Sequence, residues 1–195
     1  ERVTPPCRHA RSCGGCQLQH ASDAFVLGWK EEVVRRALAA HGLEAPLRPS
    51  VVSPPRARRR ATFAARRTKK GALAGFHQKG ADVVIAVPDC QLVTPRVAAC
   101  LPLAEALAMQ GASRKGALRV QVTESLGGLD VAVQGGKPVD AGLRAALADL
   151  ALEHDCARIA WDDDALTRRP PQQRFGEIVV VPPPGAFLQA TAEGE

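Results

Sequence analysis

The chain has 195 residues, 46% of them hydrophobic, which suits one ordinary domain or two small ones and excludes wholesale disorder. No apolar run approaches the roughly 18 residues of a membrane span, and the first residues, ERVTPPC, have no apolar stretch of signal-peptide type, so a cytoplasmic protein with reduced thiols is expected. The net charge of +6 comes from one segment: ten basic residues and no acidic one lie between Arg48 and Gly80, while the remainder holds sixteen basic against twenty acidic residues.

In chain order, a loop with three cysteines comes first, followed by a helix through FVLGWKEEVVRRALAAHG. Ser22 or Asp23 is its cap, Val26, Trp29, Val33 and Ala37 form an apolar stripe, and Gly42 is the stop. Trp29, like Trp161, reads as a core residue. A proline-studded linker leads to strands at RATFAARR, ALAGFHQ and ADVVIAV, with a turn at Lys69-Lys70-Gly71. PRVAACLPLAEALAM reads as a helix that Pro102 either kinks or forces to start late. LRVQVTES and LDVAVQG form the clearest hairpin, each strand with one buried and one wet face. DAGLRAALADLALEHD is an amphipathic helix capped by Asp140, and ARIAW and EIVVV are two further strands. Asp162, Asp163 and Asp164 cannot all face one ion and read as a polar turn. The order favours an α+β fold on a mostly antiparallel sheet, and no strand leads into a glycine-rich dinucleotide or phosphate loop.

Two features carry chemistry. The first is Cys7-x5-Cys13-x2-Cys16, which supplies three thiolates where a closed metal site needs four ligands. Candidates for the fourth are Cys90, Cys100, Cys156, His9 and His20. Cys90 lies in a rigid loop between prolines, whereas Cys100 and Cys156 read as small buried hydrophobes. The x5 gap is long for zinc and suits a four-iron cluster, but spacing alone leaves the two metals even. Gly14 and Gly15 allow a tight turn whose amides could face inorganic sulfide. The second feature is the basic segment. Arg58, Arg60 and Arg66 alternate to one face of a strand, with Arg59 and Arg67 on the other, which points to contact with a polyanion such as RNA. The plain alternative is a charged strand edge that resists aggregation. Phe63 and Phe76 read as core residues sooner than as base-stacking platforms.

C-x5-C-G-G-C, followed much later by a lone cysteine in a "D-C" loop, is similar to the bacterial RNA uracil-C5 methyltransferases, among them the iron–sulfur-containing 23S rRNA enzymes. The likeness continues through RRRATFAAR, GFHQKGADVVIAVPDC and VTES, and resumes at PPGAFLQAT, which resembles the family's F-x-Q-x-N segment, with Thr191 in place of the asparagine. The resemblance implies that Cys7, Cys13, Cys16 and Cys90 bind a [4Fe–4S] cluster with a structural or RNA-positioning role. It implies that Gln189 contacts the methyl donor S-adenosyl-L-methionine and that Phe187 lies near a flipped base. RNA, ribosomal by this resemblance, would meet Arg58, Arg60, Arg66, Arg67, Lys69, Lys70 and Phe187. Family members add a cysteine thiolate to C6 of uracil, methylate C5 and then remove its proton, with the base out of its stack. Those catalytic groups belong to a C-terminal Rossmann-like domain expected to be absent from this chain, so no catalytic residue is assigned here.

The expected organisation is a cluster loop and helix at 1–45, a central β-rich domain with the basic segment at 46–181, and a lead-in to the methyltransferase domain at 182–195. A monomer without membrane or protein partners is expected. Two rival readings are a non-enzymatic zinc-containing RNA-binding module and an electron-transfer iron–sulfur protein; neither needs the F-x-Q segment.

Overall fold

The computed structural model describes residues 1–195. Its centre is a seven-stranded sheet built from β1 (Arg60–Thr68), β2 (Gly71–His77), β3 (Val84–Ile85), β4 (Ala117–Ser125), β5 (Gly128–Gln134), β6 (Cys156–Trp161) and β7 (Asp164–Thr167). Their order in space is β3-β2-β1-β4-β5-β6-β7. All neighbours run antiparallel except β5 and β6. That parallel pair requires a crossover, supplied by α4 (Ala141–Glu153), whose first turn is capped by the Asp140 carboxylate accepting from Leu143 N–H at 2.7 Å.

Alternation along the strands gives the sheet two unlike faces. On one, Ala61, Phe63 and Ala65 of β1, Leu118, Val120 and Val122 of β4, and Val131 and Val133 of β5 are buried against the helices. Those helices are α4 and α3 (Leu101–Gly111), the latter preceded by the single turn α2 (Pro95–Ala98). Pro102 falls in the first turn of α3, where its missing N–H costs nothing, so the helix starts late and does not kink. Phe63 and Phe76 meet with ring centroids 5.3 Å apart and are packing residues, Phe63 fully buried.

The other face carries Arg60, Thr62, Gln121, Thr123, Asp130 and Arg158, and the tail after Pro182 crosses it. Arg158 donates to Pro182 O at 2.9 Å and the Gln121 amide to Ala186 O at 3.4 Å, while Leu188 is buried. EIVVV does form a strand, β9 (Ile178–Val180), but it pairs only with β8 (Gln173–Phe175), in a separate two-stranded ribbon.

Arg58 lies ahead of β1 in an isolated bridge to Val93, so it does not share the alternation of Arg60 and Arg66, and ADVVIAV forms strand only at Val84–Ile85. One further expectation fails outright. Helix α1 (Asp23–Ala39) forms as read, with the Ser22 hydroxyl accepting from Phe25 N–H, yet none of its residues is buried. Trp29 is 49% exposed and is no core residue, because the helix lies against no sheet face for its stripe to meet. Trp161 is core, with its indole N–H bonded to Lys137 O. The three aspartates make the turn between β6 and β7: Asp162 has φ 48° and its carboxylate accepts from the Gly135 and Gly136 amides.

Candidate cluster site and nucleic-acid interface

The cysteine loop is closed at its base by pairing of Val3 N–H with His20 O and of Ser22 N–H with Glu1 O. It is fastened to the end of β2 by Gly14 N–H to His77 O (2.8 Å) and Lys79 N–H to Ser12 O (3.2 Å). A side chain at Gly14 would put its Cβ 2.9 Å from His77 O, so close backbone approach is what calls for glycine there. The expectation of two free amides is therefore half met: the Gly14 amide is taken by His77, and the Gly15 amide points at Cys13 Sγ, 3.3 Å away.

This fastening brings Cys7, Cys13 and Cys16 to a cavity of about 300 Å³, and Cys90 reaches the same cavity from the loop after β3. Phe76 and Val87 form its protein-side wall, and Val52, Pro54 and Pro55 of the linker close another side. The sulfurs sense one another. Burial raises the Cys13 thiol above its ordinary range; the Gly15 amide opposes this, and the charges of Cys16, Cys90 and Cys7 add to it. All the same, no three His, Cys, Asp or Glu side chains are near enough to hold one metal ion. A single zinc draws its sulfurs to about 2.3 Å from one centre. The four cysteines nonetheless line one cavity, and thiolates are the donors that iron–sulfur clusters and zinc sites share.

Cys100 and Cys156 stand apart, both fully buried and both pushed up to about 12. Burial is the main cause in each; the other thiol's charge adds to it for Cys100, and nearby Arg168 opposes it for Cys156. At pH 8 roughly one such thiol in ten thousand is ionised. Brief alkylation of the metal-free native protein should therefore modify the four cavity cysteines and spare these two until denaturant is added. Peptide mass spectrometry reads the result, and early modification of Cys156 would contradict it.

The basic segment borders the cysteine cavity. A second cavity of about 240 Å³, lined by Arg58, Arg60 and Thr62, shares Gly15 and Phe76 with the first. The Arg60 guanidinium lies over the exposed Phe187 ring, 5.1 Å from its centroid, a cation–π arrangement. The segment lacks acids in sequence but not in space. Arg66 pairs with Asp82 at 2.8 Å, and Arg59 pairs with Glu195 and donates to Gln189 O. Arg58, Arg60, Arg67, Lys69, Lys70 and Lys79 make no ion pair. Gln189 and Thr191 line a separate cleft of about 660 Å³ with Val26, Leu27 and Lys30 of α1. Sequence reasoning missed Asp89, which binds Arg8 and His9 of the cysteine loop. Its one signal was its place directly before Cys90.

An uncharacterised RNA methyltransferase of Brucella suis is 37% identical over 196 residues, covering 100% of this chain and 47% of that protein. By sequence, the chain resembles part of several RNA methyltransferases. The 23S rRNA (uracil(1939)-C(5))-methyltransferase of Halomonas elongata is 38% identical over 108 residues, 53% of this chain and 22% of that protein. Among solved structures, the tRNA (uracil-54, C5)-methyltransferase of Pyrococcus abyssi, in complex with S-adenosyl-L-homocysteine, matches 99% of this chain and 48% of its own. Its TM-score is 0.65 at 18% identity, a likeness of fold. No protein-family model matches. The chain thus spans about half the length of the curated RNA methyltransferases it matches. No helix is long and apolar enough to cross a membrane.

Proposed function

We propose that this chain is the cluster-bearing, RNA-positioning part of an S-adenosyl-L-methionine-dependent RNA uracil-C5 methyltransferase. The observation that carries the reading is the convergence of Cys7, Cys13, Cys16 and Cys90, from two distant segments, on one cavity that shares a wall with the Arg58–Arg60 surface. The four thiolates would hold a [4Fe–4S] cluster, which when bound ties the N-terminal loop to the sheet and takes no part in methyl transfer.

Each element then has a task. The unpaired basic side chains Arg58, Arg60, Arg67, Lys69 and Lys70 hold phosphates, and Arg66 joins them when RNA displaces Asp82. Arg60 keeps the Phe187 ring facing outward, where a base taken out of its stack can meet it. Gln189, held at the α1 cleft through its backbone bond from Arg59, is placed to contact the methyl donor. We assign segments 1–45, 46–181 and 182–195 to cluster loop and helix, central domain, and lead-in to the methyltransferase domain. The groups that attack and deprotonate uracil belong to the part of the relatives this chain does not match, so the 195 residues alone bind RNA and do not methylate it. We assign it to the cytoplasm, acting on ribosomal RNA as a monomer.

Anaerobic purification or reconstitution with iron and sulfide tests the reading. About four irons and four sulfides per chain are expected, with a broad visible absorption that Cys90→Ser abolishes. A colourless protein with one zinc per chain would overturn it in favour of a zinc-containing RNA-binding module.

A further inference from the structure

Three of the four cavity cysteines share one loop, but Cys90 must be brought to them. Within its own segment it is held by Cys90 N–H to Val87 O and by the Gln91 amide to Asp89 O, and Arg56 N–H to Gln91 O joins that segment to the linker. None of these reaches the cysteine loop. The polar tie that does is the Asp89 carboxylate: Oδ2 lies 2.9 Å from Arg8 Nε and Oδ1 lies 2.9 Å from His9 Nε2. Arg8 Nε also donates to His9 Nε2 at 3.2 Å. Arg8 thus meets Asp89 as an ion pair, and His9 shares a hydrogen bond with it.

The tie is well placed to set ligand positions. Arg8 and His9 directly follow Cys7, and the His9 carbonyl accepts the Ser12 and Cys13 amides at 3.0 and 2.8 Å. His9 thus holds Cys13 through its backbone and Cys90 through its ring. We propose that Asp89 is the positioning residue for the fourth thiolate, holding Cys90 in register with the Cys7–Cys16 loop so that the cluster is retained. This rests on the cluster reading above. The carboxylate is 42% exposed and Arg8 68%, so solvent screening keeps the pair's share of global stability small; its effect is local.

The test compares wild type, Asp89→Ala, His9→Ala and the double variant in two measurements. In reconstituted protein, bleaching under excess iron chelator should run ten to a hundred times faster for each single variant, the range for loss of a group that orients a metal ligand. The double variant should bleach no faster than the singles, since both remove one interaction. In metal-free protein, Cys90 should be alkylated faster in both single variants while the melting temperature stays at the wild-type value. Wild-type bleaching and Cys90 alkylation rates in Asp89→Ala would overturn the proposal, as would bleaching of the double variant at the product of the single effects. If wild type takes up no iron, the cluster reading falls by itself, and unchanged Cys90 alkylation in Asp89→Ala then removes the tie as well.

Discussion

Arg158→Ala should cost about 3–5 kcal/mol of unfolding free energy, because it strips the partner from a buried carboxylate. Asp130 and Arg158 face each other on β5 and β6, with both guanidinium–carboxylate contacts at 2.8 Å, and each residue is less than 10% exposed. The intact pair is itself a modest net stabiliser, since two charges were taken out of water to form it. Replacing both residues, Arg158→Met with Asp130→Leu, should therefore recover most of what the single change loses. Urea unfolding of the three proteins decides it, and a loss below about 1 kcal/mol in the single variant would sink the argument. The same guanidinium holds Pro182 O, so amide exchange through residues 185–189 should quicken in Arg158→Ala. Loosening there displaces Phe187 and Gln189 together.

RNA affinity should fall steeply with salt. Eight of the ten basic side chains of the segment have no acidic partner, whereas Arg59 must first give up Glu195 and Arg66 must give up Asp82. Six of the eight, Arg58, Arg60, Arg67, Lys69, Lys70 and Lys79, are assigned as phosphate contacts. Six contacts to a single-stranded RNA give a log–log slope near −4, a loss of roughly three-hundredfold between 50 and 200 mM salt. Contacts to a duplex would bring the loss to roughly a thousandfold. Fluorescence anisotropy with a uridine-containing hairpin measures it. Lys69→Ala with Lys70→Ala should reduce the slope by about 1.4 and weaken binding to all sequences alike. A slope near zero would return the segment to the role of a charged strand edge.

Local pattern made most of the sheet legible before any coordinates. The β4–β5 hairpin and the Asp140 cap each rest on a few neighbouring residues, as does the break at Pro102, which the sequence left open between a kink and a late start. β7 and β8 escaped because they are short and mostly polar, and take their strand form from pairing partners that no local pattern reveals. The stripe on α1 was read correctly as apolar and wrongly as buried, since periodicity says which residues share a face and not what that face meets. At the candidate site the cysteine spacing was visible, but the convergence of Cys90 depends on β3 and on Asp89. The acids beside Arg59 and Arg66 come from outside the counted segment, Glu195 across the molecule and Asp82 just past the β2 end.

The chain has two tryptophans and no tyrosine, and the structure puts them in opposite settings. Trp161 is sealed in the core with its N–H on Lys137 O, while Trp29 stands half in water on a helix with no buried residue. Intrinsic emission therefore divides by position: a short-wavelength component from the sheet, shielded from soluble quenchers, and a long-wavelength component from the helix, open to them. Acrylamide would silence the second and leave the first. A single unlabelled sample can then show whether the helix and the sheet lose structure in one step or two.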